Sequence, residues 1–223
     1  PTQFGPTEDF SRYPRDLERD ARLLEQAGCD LLFVPPVEEV YPPGCATRVD
    51  VGPVSAPLEG ERRPGHFVGV ATVVLKLLNI VQPDRAYFGQ KDAQQLGVIR
   101  RLARDLDLPV EIVACPTVRE ADGLAMSSRN SYLGPEERRA ATVLFRALTA
   151  AREAYQAGEH DAQALRQAML AVLDAEPLAR PDYASVADPE TFAELVRVTD
   201  GALLSMAVRI GRARLIDNLL LPA

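Results

Sequence analysis

Residues 85–114 read RAYFGQKDAQQLGVIRRLARDLDLPVEIVA, and this stretch decides the fold of the chain. The apolar residues before Gly89 predict a strand, those from Asp92 to Asp107 recur at helical spacing, and residues 110–114 predict a second strand. A strand, a helix and a strand in that order predict two parallel strands joined by a right-handed crossover. Ligands of such sheets bind beside the carboxyl ends of the strands.

The same alternation extends towards the N-terminus. Helical spacing predicts helices over residues 15–27 and 66–81, and the apolar run at residues 30–35 predicts a buried parallel strand. A further strand is expected to end at Phe4. The loops that follow Phe4, Pro35, Phe88 and Ala114 are therefore the expected positions of a binding site.

The pattern changes near residue 117. A polar loop runs to about residue 134, and helices are predicted at 135–157 and 161–175. Two or three strands follow, at 183–187, 203–209 and 214–219. This order is typical of a small α+β domain. We place the domain boundary at 117/118.

The composition excludes several classes of protein. The chain has 223 residues with 47% hydrophobic and 26% charged side chains, as in folded domains. A net charge of −7 argues against nucleic acid as a partner, and no apolar run reaches the ~18 residues of a membrane span. The widely spaced Cys29, Cys45 and Cys115 suit neither a disulfide framework nor a zinc site. We therefore expect no protein-bound metal and a reducing, cytoplasmic compartment.

The turn from Tyr87 to Gln95 contains the sharpest candidate for a binding site. Gly89 allows a ligand to approach the backbone, and a helix that begins at Lys91 and Asp92 offers free N–H groups to an anion. The Lys91 ammonium suits a phosphate, and Asp92 either caps the helix or accepts ribose hydroxyls. The alternative is an ordinary strand, turn and helix with a capping aspartate.

The polar loop contains a second candidate, from Met126 to Asn130. Ser127, Ser128 and Arg129 supply two hydroxyls and a guanidinium fork that suit a phosphate, on a loop that can close as a lid. A solvated loop before a helix cap at Gly134-Pro135 explains the same residues.

Three other side chains carry weaker signals. Gln3, at an expected strand end, has an amide suited to a carboxylate or hydroxyl. Arg63 and His66 flank a proline turn before the helix at 66–81, where a histidine either caps and packs the helix or takes part in the site. Their roles stay open at this point.

Taken together, these phrases resemble the pantoate–β-alanine ligase family, in the family's order and over nearly the whole chain. No single phrase is specific, but the ordered set is. The matching phrases are Pro1-Thr-Gln-Phe4, Arg12-Tyr-Pro-Arg15, Leu58-Glu-Gly60, Arg63-Pro-Gly-His-Phe67, Phe88-Gly-Gln-Lys-Asp92, residues 118–130 and Arg214-Leu-Ile-Asp-Asn218.

The resemblance implies a fold and a reaction. Residues 1–117 would form a Rossmann-like, nucleotidylyl-transferase-type domain for nucleotide and pantoate, and residues 118–223 an α+β lid domain. Pantoate's carboxylate would attack the α-phosphate of ATP, giving a pantoyl adenylate and pyrophosphate. The amine of β-alanine would then attack the acyl carbon, giving pantothenate and AMP. Mg²⁺ is expected to come with ATP, and the protein is expected to be a homodimer.

The resemblance also implies the site residues. Gln3 and Gln95 would hold pantoate, with Gln3 also serving β-alanine, and Gln90 stands where many family members carry Glu. The phosphates would lie on Lys91, Ser127, Ser128 and Arg129, and the ribose on Asp92. The full ATP site would consist of Gly89, Gln90, Lys91, Asp92, Val118, Met126, Ser127, Ser128 and Arg129.

One phrase of the family, a His-x-Gly-His motif, has no match in this sequence. In the family it supplies histidines that meet the phosphates, so no residue is assigned as catalytic here. We expect an N-terminal piece to be missing, and we expect these 223 residues alone to bind ATP weakly without making pantothenate. The alternatives are another adenylate-forming or nucleotidyl-transferring enzyme of the same superfamily, and an inactive binding or assembly module.

Overall fold

A computed structural model describes residues 2–4, 13 and 15–223. The first half contains α1 (Leu17–Gln26), α2 (Val37–Val40), α3 (Glu59–Arg62), α4 (His66–Val81), β1 (Arg85–Gly89), α5 (Ala93–Asp105) and β2 (Glu111–Cys115). The second half contains α6 (Pro135–Ala140), α7 (Val143–Gln156), α8 (Ala162–Asp174), β3 (Ala179–Ala187), β4 (Ala202–Ile210) and β5 (Ala213–Leu221). Three 3₁₀ turns lie at Gly52–Ser55, Gln90–Asp92 and Ser128–Tyr132.

The first half is built on the predicted strand–helix–strand unit. β1 and β2 are parallel, with Arg85 opposite Glu111 and Gly89 opposite Cys115. α5 connects them and buries Leu96, Ile99 and Leu102, whose spacing of three residues places them on one face of the helix. Ile99 and Leu102 of this face pack with α4 in one hydrophobic cluster. The predicted α/β class of this half is confirmed.

Two expectations for the first half are wrong. Residues 31–34 pair with no strand in the described part of the chain, and Leu31 is 81% exposed. A short apolar run forms a parallel strand only where a neighbouring strand takes its hydrogen bonds, and the described parallel sheet consists of β1 and β2. Residues 2–4 lie in a turn and a bend, and not at the end of a strand. The loop after Phe4, and Arg12 and Pro14 of the phrase Arg12-Tyr-Pro-Arg15, lie outside the described residues.

The second half forms a three-stranded antiparallel sheet in the order β3–β4–β5, as the α+β prediction requires. The helix predicted over 135–157 is divided into α6 and α7 at residues 141–142. The cap predicted at Gly134-Pro135 is present, because the N–H of Gly134 donates to the Glu137 carboxylate at 2.8 Å.

The two faces of this sheet pack against different partners. Leu204 and Met206 of β4 belong to the cluster formed with α7 and α8, whereas Leu203 belongs to the cluster of α4 and α5. The sheet therefore lies between its own helices and the first half of the chain, and this arrangement positions the site. The boundary at 117/118 stays a prediction.

No described helix is long and apolar enough to cross a membrane. Cys29, Cys45 and Cys115 are free thiols.

Candidate nucleotide site

A cleft of about 860 Å³ opens beside the 90–92 turn, the 124–132 segment and the β4–β5 hairpin. Seven cationic side chains and four carboxylates line it, although the whole chain has a net charge of −7. The cleft is therefore locally positive and suits an anionic ligand. The cations are Arg62, Arg63, Lys91, Arg129, Arg209, Arg212 and Arg214, and the acids are Glu59, Asp92, Asp182 and Asp217.

The cleft brings together the two phosphate-binding candidates. Lys91 and Asp92 come from the turn after β1, and Ser127 and Arg129 come from the 126–130 stretch. Gln95 lines a smaller adjoining pocket of about 40 Å³, together with Lys91 and Asp92. The other predicted ATP-site residues do not line either space; they are Gly89, Gln90, Val118, Met126 and Ser128.

The turn after β1 differs from its predicted geometry. Gly89 has φ −72° and ψ 132°, which any residue adopts, and no atom lies within 4 Å of the position that a Cβ would take. Because Gly89 has no side chain, the space beside the backbone at this turn is open to a ligand. The α-helix begins at Ala93 after a 3₁₀ turn, and not at Lys91.

Lys91 and Asp92 are available to a ligand. Asp92 holds the N-cap position of α5, yet its side chain accepts no capping hydrogen bond, so the capping alternative is wrong. Over residues 2–4, 13 and 15–223, no ion pair with Lys91 occurs. An ammonium and a carboxylate thus stand side by side on one wall of the cleft.

The 126–130 stretch is a structured turn. The Ser127 hydroxyl accepts from the N–H of Arg129 at 3.3 Å, and the Asn130 amide donates to the Ala125 carbonyl at 3.1 Å. The Ser128 hydroxyl lies 3.2 Å from the Tyr13 hydroxyl. These bonds orient Ser127 and Arg129 towards the cleft, whereas Ser128 faces Tyr13.

His66 and Arg63 hold the backbone at Gln3. The Gln3 carbonyl accepts from His66 Nδ1 at 2.7 Å and from Arg63 at 3.4 Å. A carbonyl oxygen only accepts hydrogen bonds, so a neutral His66 must carry its proton on Nδ1 to donate to Gln3. A guanidinium only donates, so Nε2 of His66 accepts from Arg63, 3.0 Å away. These bonds hold residue 3, and Arg63 also lines the cleft while His66 lines the small pocket. The second histidine, His160, makes an edge-to-face contact with Tyr155 and does not line the cleft.

A largely buried ionic cluster, for which the sequence alone predicts no role, joins the two halves. Arg214 of β5 forms a bidentate pair with Glu59 at 2.7 and 2.8 Å, and its Nε donates to Asp182 at 2.9 Å. Burial opposes the Arg214 charge, but Glu59 and Asp182 raise its pKa overall. Burial and the Glu59 charge also raise the pKa of Tyr183, which stays protonated. The sequence does contain one sign of such a cluster, because the charged residues Arg214 and Asp217 lie within a largely apolar strand at 213–221.

A second missed group consists of Arg119, Asp217 and Asn218. Arg119 donates to both carboxylate oxygens of Asp217, at 2.7 and 2.9 Å, and the Asn218 amide donates to the carbonyls of Gln90 and Lys91. The phrase Arg214-Leu-Ile-Asp-Asn218 had carried the resemblance without any assigned role.

Comparison with known proteins identifies the family. The family model described as pantoate-beta-alanine ligase matches residues 1–220. The chain belongs to this family. The pantothenate synthetase of Roseiflexus castenholzii is 68% identical over 223 residues, which are 100% of this chain and 80% of that protein. That of Herpetosiphon aurantiacus is 64% identical over 222 residues, 99% of this chain and 80% of that protein.

Solved structures agree with this assignment. The crystal structure of pantothenate synthetase from Thermus thermophilus has a TM-score of 0.95 at 57% identity and covers 98% of this chain and 79% of that chain. The pantoate–β-alanine ligase of Francisella tularensis, in complex with beta-gamma ATP and β-alanine, has a TM-score of 0.77 at 32% identity, with 99% and 76% covered. The predicted family and fold class are confirmed. The alternatives of another superfamily enzyme and an inactive module are not favoured.

Proposed function

We propose that this chain catalyses the ATP-dependent condensation of pantoate with β-alanine to pantothenate, releasing AMP and pyrophosphate. One observation carries the proposal: in a member of this ligase family, Lys91, Asp92, Ser127 and Arg129 converge from two segments on one positive cleft. ATP, pantoate and β-alanine are the substrates that this family assignment implies.

The test mixes the purified chain with the three substrates and measures pantothenate and AMP, beside titrations with ATP alone and pantoate alone. We expect both ligands to bind. The His-x-Gly-His phrase has no match in these 223 residues, so the same assay also tests the expectation that they alone bind ATP weakly without making pantothenate. A folded chain that binds neither ATP nor pantoate would contradict the proposal.

The family assignment implies distinct roles for the ATP-site residues, and the cleft supports them for Lys91, Asp92, Ser127 and Arg129. Lys91, Ser127, Ser128 and Arg129 bind the phosphates, because hydroxyl and cationic donors are what phosphate oxygens accept. The uncapped carboxylate of Asp92 accepts the ribose hydroxyls. The family assignment also places the nucleoside against the backbone at Gly89 and Val118, with Gln90 and Met126 beside it, although these four residues line neither the cleft nor the small pocket.

The chemistry needs alignment and charge neutralisation more than a protein nucleophile. Pantoate's carboxylate oxygen forms a bond to the α-phosphorus while the bond to pyrophosphate breaks. The β-alanine nitrogen then bonds to the acyl carbon, AMP leaves, and the amine loses its proton. Mg²⁺ comes with ATP on its phosphate oxygens, as is usual for this ion. Among the described residues no cluster of three metal-binding side chains occurs.

Three finer features of the family assignment are also proposals. The second domain, residues 118–223, acts as a lid over the cleft formed with residues 1–117. The enzyme is a homodimer, and it is cytoplasmic, a compartment that suits its three free thiols.

Gln95→Ala is expected to raise the pantoate concentration needed for half-maximal rate by roughly 10- to 100-fold, because a hydrogen bond to a charged ligand is lost. Gln95 lines the small pocket beside Lys91, so ATP affinity should stay near that of the native chain. Titrations with each ligand separate the two effects. Gln156→Ala, at an exposed position on α7, is the control. A variant that loses ATP instead would contradict the assignment of Gln95 to pantoate.

Gly69→Ala is expected to weaken pantoate binding by roughly tenfold, or ~1.4 kcal/mol. A Cβ on Gly69 would overlap the Thr2 carbonyl, so the methyl group displaces the backbone that carries Gln3. The substitution itself favours helix, so α4 should remain folded. Pantoate titration and circular dichroism measure the two effects, with exposed Asn79→Ala on the same helix as the control. Unchanged pantoate affinity would remove Gln3 from the site.

A further inference from the structure

β5 carries two adjacent buried polar residues that face opposite sides of the sheet. Asp217 and Asn218 are only 2% and 6% exposed. Asp217 lies opposite Met206, which packs with α7 and α8, whereas Asn218 lies opposite Ser205 on the other face. Because neighbouring residues of a strand point to opposite faces, this one strand can hold two separate segments at once.

The first segment is the turn that carries Lys91. The Asn218 Nδ2 donates to the Gln90 carbonyl at 3.0 Å and to the Lys91 carbonyl at 2.8 Å, so both amide hydrogens are used. These two carbonyls belong to the peptide planes on either side of the Lys91 Cα. Fixing both planes fixes the two backbone dihedral angles of Lys91, and hence the direction in which its side chain leaves the turn.

The second segment is the hairpin that leads into Ser127. Arg119, bound by Asp217 through two hydrogen bonds, pairs with Ala125 across this hairpin and donates to the Gly123 carbonyl at 3.0 Å. The same guanidinium reaches the backbone carbonyl of Asn218 at 3.2 Å. β5 thus sets the separation between the turn of Lys91 and the hairpin before Ser127.

We propose that Asn218 is a positioning residue for the nucleotide: it holds the turn at 90–92 so that Lys91 and Asp92 meet ATP together with Ser127 and Arg129. Asn218 does not touch the reacting atoms and acts through the backbone of Lys91. This inference rests on the proposed function of the cleft.

Asn218→Asp tests it, because the side chain keeps its shape but loses both donors and directs negative charge at two carbonyl oxygens. We expect the dissociation constant for ATP to rise roughly tenfold, as for one or two lost hydrogen bonds. Asn218→Ala, which removes the donors without adding charge, should act in the same direction. Asn79→Asp makes the same chemical change at an exposed position and is the control.

A double-mutant cycle separates positioning from general destabilisation. If Asn218 acts through Lys91, then Asn218→Asp should have little further effect on ATP affinity in a Lys91→Ala background. Amide hydrogen exchange of residues 90–92, measured without ATP, should be faster in Asn218→Asp than in the native chain.

Two results would overturn the proposal. One is an Asn218→Asp variant that binds ATP as tightly as the native chain, and the other is an equal loss of affinity in the presence and absence of Lys91. If the folded native chain does not bind ATP, the proposed function itself is contradicted. This result is obtained from the native chain alone and is therefore distinguished from a failure of the role of Asn218.

Discussion

Lys91→Ala is expected to slow pyrophosphate release from ATP and pantoate by roughly 30- to 1,000-fold. Removing one charge-assisted contact to phosphate costs about 2–4 kcal/mol of transition-state stabilisation. No ion pair involving Lys91 occurs in the described part of the chain, and α5 begins two residues later. The substitution therefore leaves no buried charge behind, and the melting temperature should not change.

Single-turnover experiments with protein in excess over ATP measure this rate even where turnover is slow. The chain offers a matched control, because Lys76 on α4 is its only other lysine and does not line the cleft. Lys76→Ala should leave pyrophosphate release unchanged. Native-like release by Lys91→Ala would exclude Lys91 from the phosphate site.

Arg119→Met is expected to lower the free energy of unfolding by about 3–5 kcal/mol, the cost of removing one partner from a buried ion pair. The Asp217 side chain is only 1% exposed, so its charge would lose its counter-ion and keep only the hydrogen bond from the Asn218 N–H at 2.8 Å. The variant also loses the hydrogen bond to the Gly123 carbonyl and the stacking of Arg119 over the Phe145 ring at 4.4 Å.

Urea unfolding measures this loss of stability. Two further variants show whether the loss comes from the unpaired charge of Asp217. Arg85→Ala breaks a pair with Glu111 in which both side chains are 62% exposed, so water screening should make its effect far smaller. Replacing both partners, with Arg119→Met and Asp217→Leu, should recover part of the stability because no unpaired charge remains. Equal effects of Arg119→Met and Arg85→Ala would show that the Arg119 pair does not stabilise the fold.

The chemistry of the candidate site could be predicted from local sequence. Lys91 and Asp92 follow a strand, and Ser127 and Arg129 lie in a polar loop, so each pair could be recognised within a few residues. What brings the two pairs to one cleft is contact with β5, about 100 residues further along the chain. Neither segment contains a signal for such a contact.

The segment at 30–35 shows the same limit for the fold. Its apolar residues have the composition of a buried strand, yet Leu31 is 81% exposed and no described strand pairs with it. Composition measures whether a segment prefers to be buried, whereas strand formation also requires a neighbour that accepts its hydrogen bonds.

Helices and strands with local signals could thus be predicted from the sequence alone. The helix predicted at 66–81 lies at His66–Val81, and the strands predicted at 183–187, 203–209 and 214–219 lie within β3, β4 and β5. Only the tertiary structure shows which groups Arg119, Arg214 and Asn218 bind. The physical reason is that periodicity and turn residues act between neighbours in the chain, whereas these side chains bond to groups 98 to 155 residues away. Where a buried polar group finds its partner is decided by how the two faces of the C-terminal sheet pack, and no short stretch of sequence contains that information.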